Sequence, residues 1–190
     1  MSWKGNAAAK APKQKETKAQ TASAHAATKK AQEAAGGMIA VIRIRGTAGV
    51  SGKIEQTLGM LRLHKSNHMA IVMNNMSMRK MVDKVKDFVA YGDISEQTLE
   101  AALEKRGLIE GNKRITPEFL KEKKFSGFDE LAKAIYSGKN KLKELGLEPL
   151  FRLNPPKKGH ERGGIKKPYR QGGALGNRGK EINELIMRMI

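Results

Sequence analysis

The apolar positions of the chain fall into short periodic blocks separated by polar turns, nearly all between residues 38 and 150. Ile39 to Arg45 alternates, with Ile42 and Ile44 set against Arg43 and Arg45, which predicts a strand with one buried face and one face showing arginine. Gly46-Thr-Ala-Gly49 reads as a turn. Lys53 to Leu61 places Ile54, Leu58 and Leu61 on one side of a helix. Met69 to Met73 predicts a second strand. Ser77 is placed to cap a helix whose stripe runs Met78, Met81, Val82, Val85 and Phe88 or Val89, and Val89 to Ile94 predicts a third strand. The order β-α-β-α-β over residues 38–94 predicts an α+β, two-layer core of one small sheet and one helical layer.

A helical extension follows over residues 95–150. Ser95 caps a helix carrying Leu99 and Leu103 that Gly107 stops. Thr116-Pro117 is an N-cap followed by proline at the first helical position, leading into Phe119 and Leu120. Phe128 to Tyr136 predicts a further helix ended by Gly138. Glu181 to Ile190 predicts a closing helix with Ile182, Leu185, Ile186 and Met189 on one side.

Charge changes this picture. The chain of 190 residues carries 37 Lys+Arg against 19 Asp+Glu, a formal charge of +18 and a pI near 10.1. Such a balance points to a polyanionic partner, most commonly nucleic acid. With no cysteine, disulfides, thiolate catalysts and thiolate metal sites are excluded. No apolar run approaches the ~18 residues of a membrane span, and the start lacks the apolar stretch of a secretory signal. The expectation is a soluble intracellular protein with no membrane partner and no small-molecule substrate. The cations are unevenly placed. Residues 1–37 hold seven lysines and two acidic residues in an Ala/Gln/Thr-rich stretch too polar to bury a core, so a disordered or RNA-ordered arm is expected. Residues 151–180 hold nine basic residues against Glu161 alone and are rich in Gly and Pro, so residues 151–190 read as an extended basic tail followed by the closing helix.

Candidate chemistry is sparse. Gly46-Thr-Ala-Gly49-Val-Ser-Gly52-Lys53 lies between a strand and a helix, the setting of a phosphate-cradling loop. Its spacing fails: Thr47 stands where the first glycine belongs, and Ile54 follows Lys53 in place of a Mg²⁺-binding Ser or Thr. A flexible turn, or a turn whose amides and Lys53 touch an RNA phosphate, are the other readings. His64 and His68 have helical metal-pair spacing but straddle a helix end, with no third ligand nearby, so neither metal nor cofactor is expected. His25 and His160 show no catalytic partner. The carboxylates between residues 93 and 130 fit solvated helix faces, and the ten methionines fit packing. The tail reads differently. Phe151-Arg-Leu-Asn-Pro-Pro-Lys-Lys158-Gly-His160-Glu-Arg162 and Lys166-Lys-Pro-Tyr-Arg170 interleave cations with aromatics on a stiff backbone. Arg152, Arg162 and Arg170 suit phosphate chelation or stacking, Tyr169 suits stacking on an unpaired base, and Asn154, Lys157, Lys158, His160, Lys166 and Lys167 complete the cationic track. A solubilising linker is the competing reading.

Several uncommon strings add a resemblance. Met38-Ile-Ala-Val-Ile-Arg-Ile-Arg-Gly46-Thr, then Thr57-Leu58 with Leu61-Arg-Leu63-His-Lys65-Ser-Asn67-His68, then Phe151-Arg-Leu-Asn154-Pro-Pro-Lys, Ile165-Lys-Lys-Pro-Tyr-Arg170, Gly172-Gly173-Ala-Leu-Gly176-Asn177-Arg178 and Ile182-Asn183-Glu-Leu185-Ile186 occur in order. Over residues 38–190 the chain resembles the archaeal large-subunit ribosomal protein numbered thirty, whose eukaryotic counterpart is numbered seven and which has a short bacterial version. The resemblance implies a ferredoxin-like antiparallel sheet in the β-α-β-α-β core and assembly into the large ribosomal subunit of the cytoplasm. The partners implied are large-subunit rRNA, near 5S rRNA, and neighbouring ribosomal proteins, without catalysis or cofactor. By position, the RNA-contacting candidates are Arg43 and Arg45 on the first strand, Lys53, then His64, Lys65, Asn67 and His68, and the basic tail. Asn177 and Arg178 stand before the last helix, where a cap and a phosphate contact both stay open. Residues 1–37 depart from the family pattern, which starts at a Met equivalent to Met38. A lineage-specific arm, a start codon set upstream and an artificial leader all stay open. Two function classes compete with a structural rRNA-binding protein: a nucleotide-binding enzyme using the Gly46–Lys53 loop, and a free-standing RNA chaperone.

Overall fold

Strand β1 (Met38–Arg43) is buried at all six positions, which requires cover on both faces of the sheet. The structure, a computed structural model, describes residues 37–190 except 124, 139 and 141. Strands β2 (His68–Met73) and β3 (Val89–Asp93) flank β1, both antiparallel, with Ile39 opposite Val72 on one side and Val41 opposite Tyr91 on the other. Helices α1 (Gly52–Met60) and α2 (Met76–Lys84) make the connections. They cover one face, where Ile39, Val41, Ala70 and Val89 meet Leu58, Leu61, Val82 and Val85. Residues 38–94 thus have the order, and the antiparallel sheet, expected of them. The N-cap position of α2 is Asn75, so Ser77 sits inside the first turn and does not cap it.

The extension covers the other face. After β3 come α3 (Glu96–Arg106), a hairpin of β4 (Leu108–Ile109) and β5 (Lys113–Arg114), then α4 (Pro117–Glu122), α5 (Phe128–Tyr136) and, at the end of the chain, α6 (Ile182–Met189). Leu99, Leu103, Leu131, Ile135, Ile182 and Leu185 from these helices pack with Ala40, Ile42, Met69 and Ala90 of the sheet. The four residues assigned to one side of the closing helix, Ile182, Leu185, Ile186 and Met189, are all fully buried, each contributing about 1.5–3 kcal/mol of transfer free energy. Ser95 caps α3 through its hydroxyl, which accepts from the Thr98 amide at 3.3 Å. Asn183 accepts from the Ser95 amide at 2.9 Å and donates to the Asp93 carbonyl, tying α6 to the start of α3. The helical layer on α1 and α2 is therefore one of two, and the sheet lies between them.

Residues 150–180 are not a free extended tail. Strand β6 (Leu150–Arg152) pairs antiparallel with β2, and β7 (Gly176–Asn177) pairs parallel with β3, giving the order β6-β2-β1-β3-β7. The loop between them folds on itself: the Gly163 amide donates to the Gly172 carbonyl, Ala174 to Gly164, and Tyr169 to Leu175. Phe151, Leu153, Ala174 and Leu175 are buried. These few apolar residues suffice because they dock on a sheet already formed, where the sequence pattern suggested only a polar stretch. At Gly92 of β3 a Cβ would collide with the Gly179 carbonyl, so the chain leaving β7 lies directly on the strand. The arm expected at residues 1–37 lies, Gly37 excepted, outside the described residues.

Candidate nucleic-acid interface

The strand order brings candidates from three distant stretches to one end of the sheet. Here β1 ends, β2 begins and β6 ends, with His68 directly opposite Arg152. The Asn67 amide donates to the Arg43 carbonyl at 2.7 Å, and the Leu153 amide to the Asn67 carbonyl at 3.0 Å. Asn67 adopts a positive φ of 62°, which asparagine tolerates better than most residues and which turns the chain sharply into β2. His64 and Lys65 are exposed beside them, and Asn67 and His68 are half-buried. Burial lowers the His68 pKa, and the nearby charges of Arg152, His64, Lys65 and Arg43 lower it further. His68 is therefore neutral at pH 7 and offers hydrogen bonds but no net charge. Arg45 is half-buried, its guanidinium 4.8 Å from the centre of the Phe88 ring and within 3.3 Å of the Asp87 carbonyl. Lys53, at the start of α1, is exposed.

Arg43 does not belong with them. Its side chain is 1% exposed. Nη1 donates to the carbonyls of Leu63 at 2.7 Å and His64 at 3.1 Å, Nη2 to Gly46 at 3.0 Å, and Nε to Arg45 at 2.9 Å. It pins the turn after β1 to the chain leaving α1. The alternation of the first strand assigned Arg43 correctly to the face opposite Ile42, but α1 and α2 cover that face.

The loop after β6 displays its cations. Arg152, Asn154, Lys157, Lys158, Arg162, Lys166, Lys167 and Arg170 are exposed. His160 is half-buried, and burial lowers its pKa while Glu161 opposes the shift. Tyr169 is already engaged: its hydroxyl bonds Glu181, and the Arg178 guanidinium lies 4.6 Å from its ring centre. One ring face is thus closed to a base. Asn177 accepts from the Gly179 amide at 2.8 Å in a local turn, and the N-cap position of α6 is Glu181, so Asn177 does not cap that helix. Arg178 is 5% exposed and donates to the Ala174 carbonyl and to both oxygens of Glu161, so it too is structural. A sequence shows the cation but not that the carboxylate seventeen positions earlier receives it.

Glu161 also accepts from Arg188 of α6 at 3.1 Å. The Arg178 hydrogen bonds, against the opposing cost of burial, hold its carboxyl down at about 2. A depressed folded-state pKa adds stability above the ordinary carboxylate range, and that stability is lost as pH falls through about 2. Glu161→Gln leaves Arg178 buried and charged. At neutral pH it is expected to cost about 2 kcal/mol, below the usual buried-pair figure because Glu161 keeps 24% of its surface exposed. Urea melts of both proteins are expected to converge as pH approaches about 2.

The sequence pattern missed a group of cations in the extension. Lys105, Arg106 and Arg114 line a cleft of 210 Å³ with Arg152, Asn112 and Gly107. The signal lay in two basic dipeptides, Lys105-Arg106 just before the short hairpin and Lys113-Arg114 forming its second strand.

A mainly antiparallel sheet between two helical layers, with its cations on loops and strand ends, defines a small cation-faced α+β protein. Among the described residues no cluster of three or more His, Asp or Glu is arranged to hold a metal ion, and no helix is long and apolar enough to cross a membrane. The family model for ribosomal protein L30p/L7e matches residues 39–89. The large ribosomal subunit protein uL30 of Nanoarchaeum equitans is 48% identical over 153 residues, covering 80% of this chain and 99% of the relative. That of Methanococcus maripaludis strain C5 is 46% identical over 151 residues, covering 80% and 98%. That of Methanosphaera stadtmanae is 44% identical over 154 residues, covering 80% and 100%. The chain belongs to the uL30 family of ribosomal proteins. This is a family of structural proteins and not of enzymes, which sets aside nucleotide chemistry at the Gly46–Lys53 loop.

Proposed function

We propose that the protein is a constituent of the large ribosomal subunit in the cytoplasm and binds large-subunit rRNA, near 5S rRNA, chiefly through phosphate contacts. The observation that carries this reading is the run of exposed cations Lys157, Lys158, Arg162, Lys166, Lys167 and Arg170 on one folded loop. Like charges held side by side on a fixed backbone repel, and a polyanion relieves that repulsion while releasing its counterions. Arg45, Lys53, His64, Lys65, Asn67, His68, Arg152 and Asn154 add contacts of their own at the other end of the sheet, and His160 adds a polar group to the loop. Neighbouring ribosomal proteins complete the surroundings.

Filter-binding of the purified chain to large-subunit rRNA over a salt series tests the proposal. Affinity is expected to fall about 10³-fold or more between about 50 and 200 mM salt. A flat salt dependence would overturn it. Sedimentation of a cell extract separates the free-standing chaperone: protein found chiefly off the subunit would favour that reading.

A further inference from the structure

We infer that the cleft between the end of α3, the β4–β5 hairpin and β6 is a second RNA-backbone site, taking a phosphodiester group without regard to base, apart from the loop after β6. The inference rests on the rRNA-binding reading above. Four cations, Lys105, Arg106, Arg114 and Arg152, line its 210 Å³, and no acidic residue lines it. The helix dipole accounts for Lys105 and Arg106, which lie in the last turn of α3. It does not account for Arg114 from the hairpin or Arg152 from the sheet edge, which add repulsion to that end.

The cleft is also held in shape. Arg152 donates to the Asn112 side chain at 2.8 Å, and Asn112 sits at a positive φ of 61° in the hairpin turn. Arg106 donates to the Ile190 carbonyl at 3.2 Å. At Gly107 a Cβ would collide with the Leu103 carbonyl and the Ile115 side chain, so the backbone floor is fixed by its packing. Lys105 and Arg114 are exposed and complete the rim. Preorganised cations of this kind suit a phosphate oxygen cluster, with arginine providing the planar fork and lysine a point charge.

The cleft and the loop leave the sheet at different places. Arg152 lies on β6, one edge strand, whereas Arg170 and the turn at Pro168 lie by β7, the other edge. Four strand spacings separate the edges, about 19 Å. A phosphate in the cleft is therefore a different one from those met by Lys166, Lys167 and Arg170.

The test uses the full chain, protein-free large-subunit rRNA and hydroxyl-radical footprinting. Lys105→Gln/Arg114→Gln alters only exposed side chains, and its melting curve is expected to match the wild type. It is expected to lose protection at one contiguous rRNA segment, to keep the segment lost in a Lys166→Gln/Lys167→Gln variant, and to lower the salt slope by about two. Unchanged footprint and slope, with the wild type protecting rRNA, would overturn the cleft and leave the rRNA reading standing. No protection by the wild type would overturn both. Titration of the wild type with tripolyphosphate, followed by the Gly107 and Asn112 amide resonances, separates RNA from free polyphosphate as the occupant. Shifts that rRNA reverses support the inference, and shifts that rRNA leaves untouched overturn it.

Discussion

Arg43→Met is expected to lower stability by about 3–5 kcal/mol and to lower the melting temperature by about 10 °C. Methionine refills the volume but donates nothing. Four carbonyls, of Gly46, Arg45, Leu63 and His64, then lose their donor together. The Leu63 bond is fully buried, and its acceptor carries the full desolvation cost of about 1–3 kcal/mol. The other three are partly buried and recover some bonding from water, so the sum stays below four such costs. Burial already lowers the guanidinium pKa, with Glu55 opposing, so relief of that buried charge offsets part of the loss. Arg43→Lys is expected to recover less than half, because an ammonium is a point donor and cannot reach carbonyls on both sides as a fork does. Urea unfolding checks both variants, and an unchanged midpoint for Arg43→Met would refute the structural role.

The second large effect is on binding. Lys157→Ala/Lys158→Ala/Lys166→Ala/Lys167→Ala is expected to weaken rRNA affinity about 10³-fold at about 0.15 M salt and to lower the salt slope by up to four. The melting temperature is expected to move by no more than about 2 °C. All four side chains are exposed, and the bonds that shape the loop are made by backbone groups that alanine keeps. Lys158 has a φ of 65°, a strain that alanine shares, so that position does not alter the balance. A large fall in melting temperature would mean that the lysine stems are part of the packing.

The elements most legible in the sequence were those with several turns of period. α5 spans Phe128–Tyr136, as its apolar spacing indicated, and the buried side of α6 is the set its spacing picked out. β6 and β7, of three and two residues, show no period, so their pairing with β2 and β3 was invisible. That pairing decides the candidate interface. It places Arg152 against His68, eighty-four positions away, and turns a polar tail into a folded loop. The burial of Arg43 and Arg178 escapes the sequence for one reason. Type and charge of a side chain are local, whereas burial depends on what the fold brings from elsewhere in the chain: α1 and the turn after it over Arg43, and Glu161 against Arg178.

The closing helix sets the timing of folding. Because α6 contributes fully buried residues up to Met189 and β7 before it finishes one sheet edge, the second core lacks one wall until synthesis reaches that point. A nascent chain halted shortly before it carries α3 and α5 with their greasy sides open to water, a form prone to aggregation and to capture by chaperones. Completion of the second core therefore waits for residues 182–189.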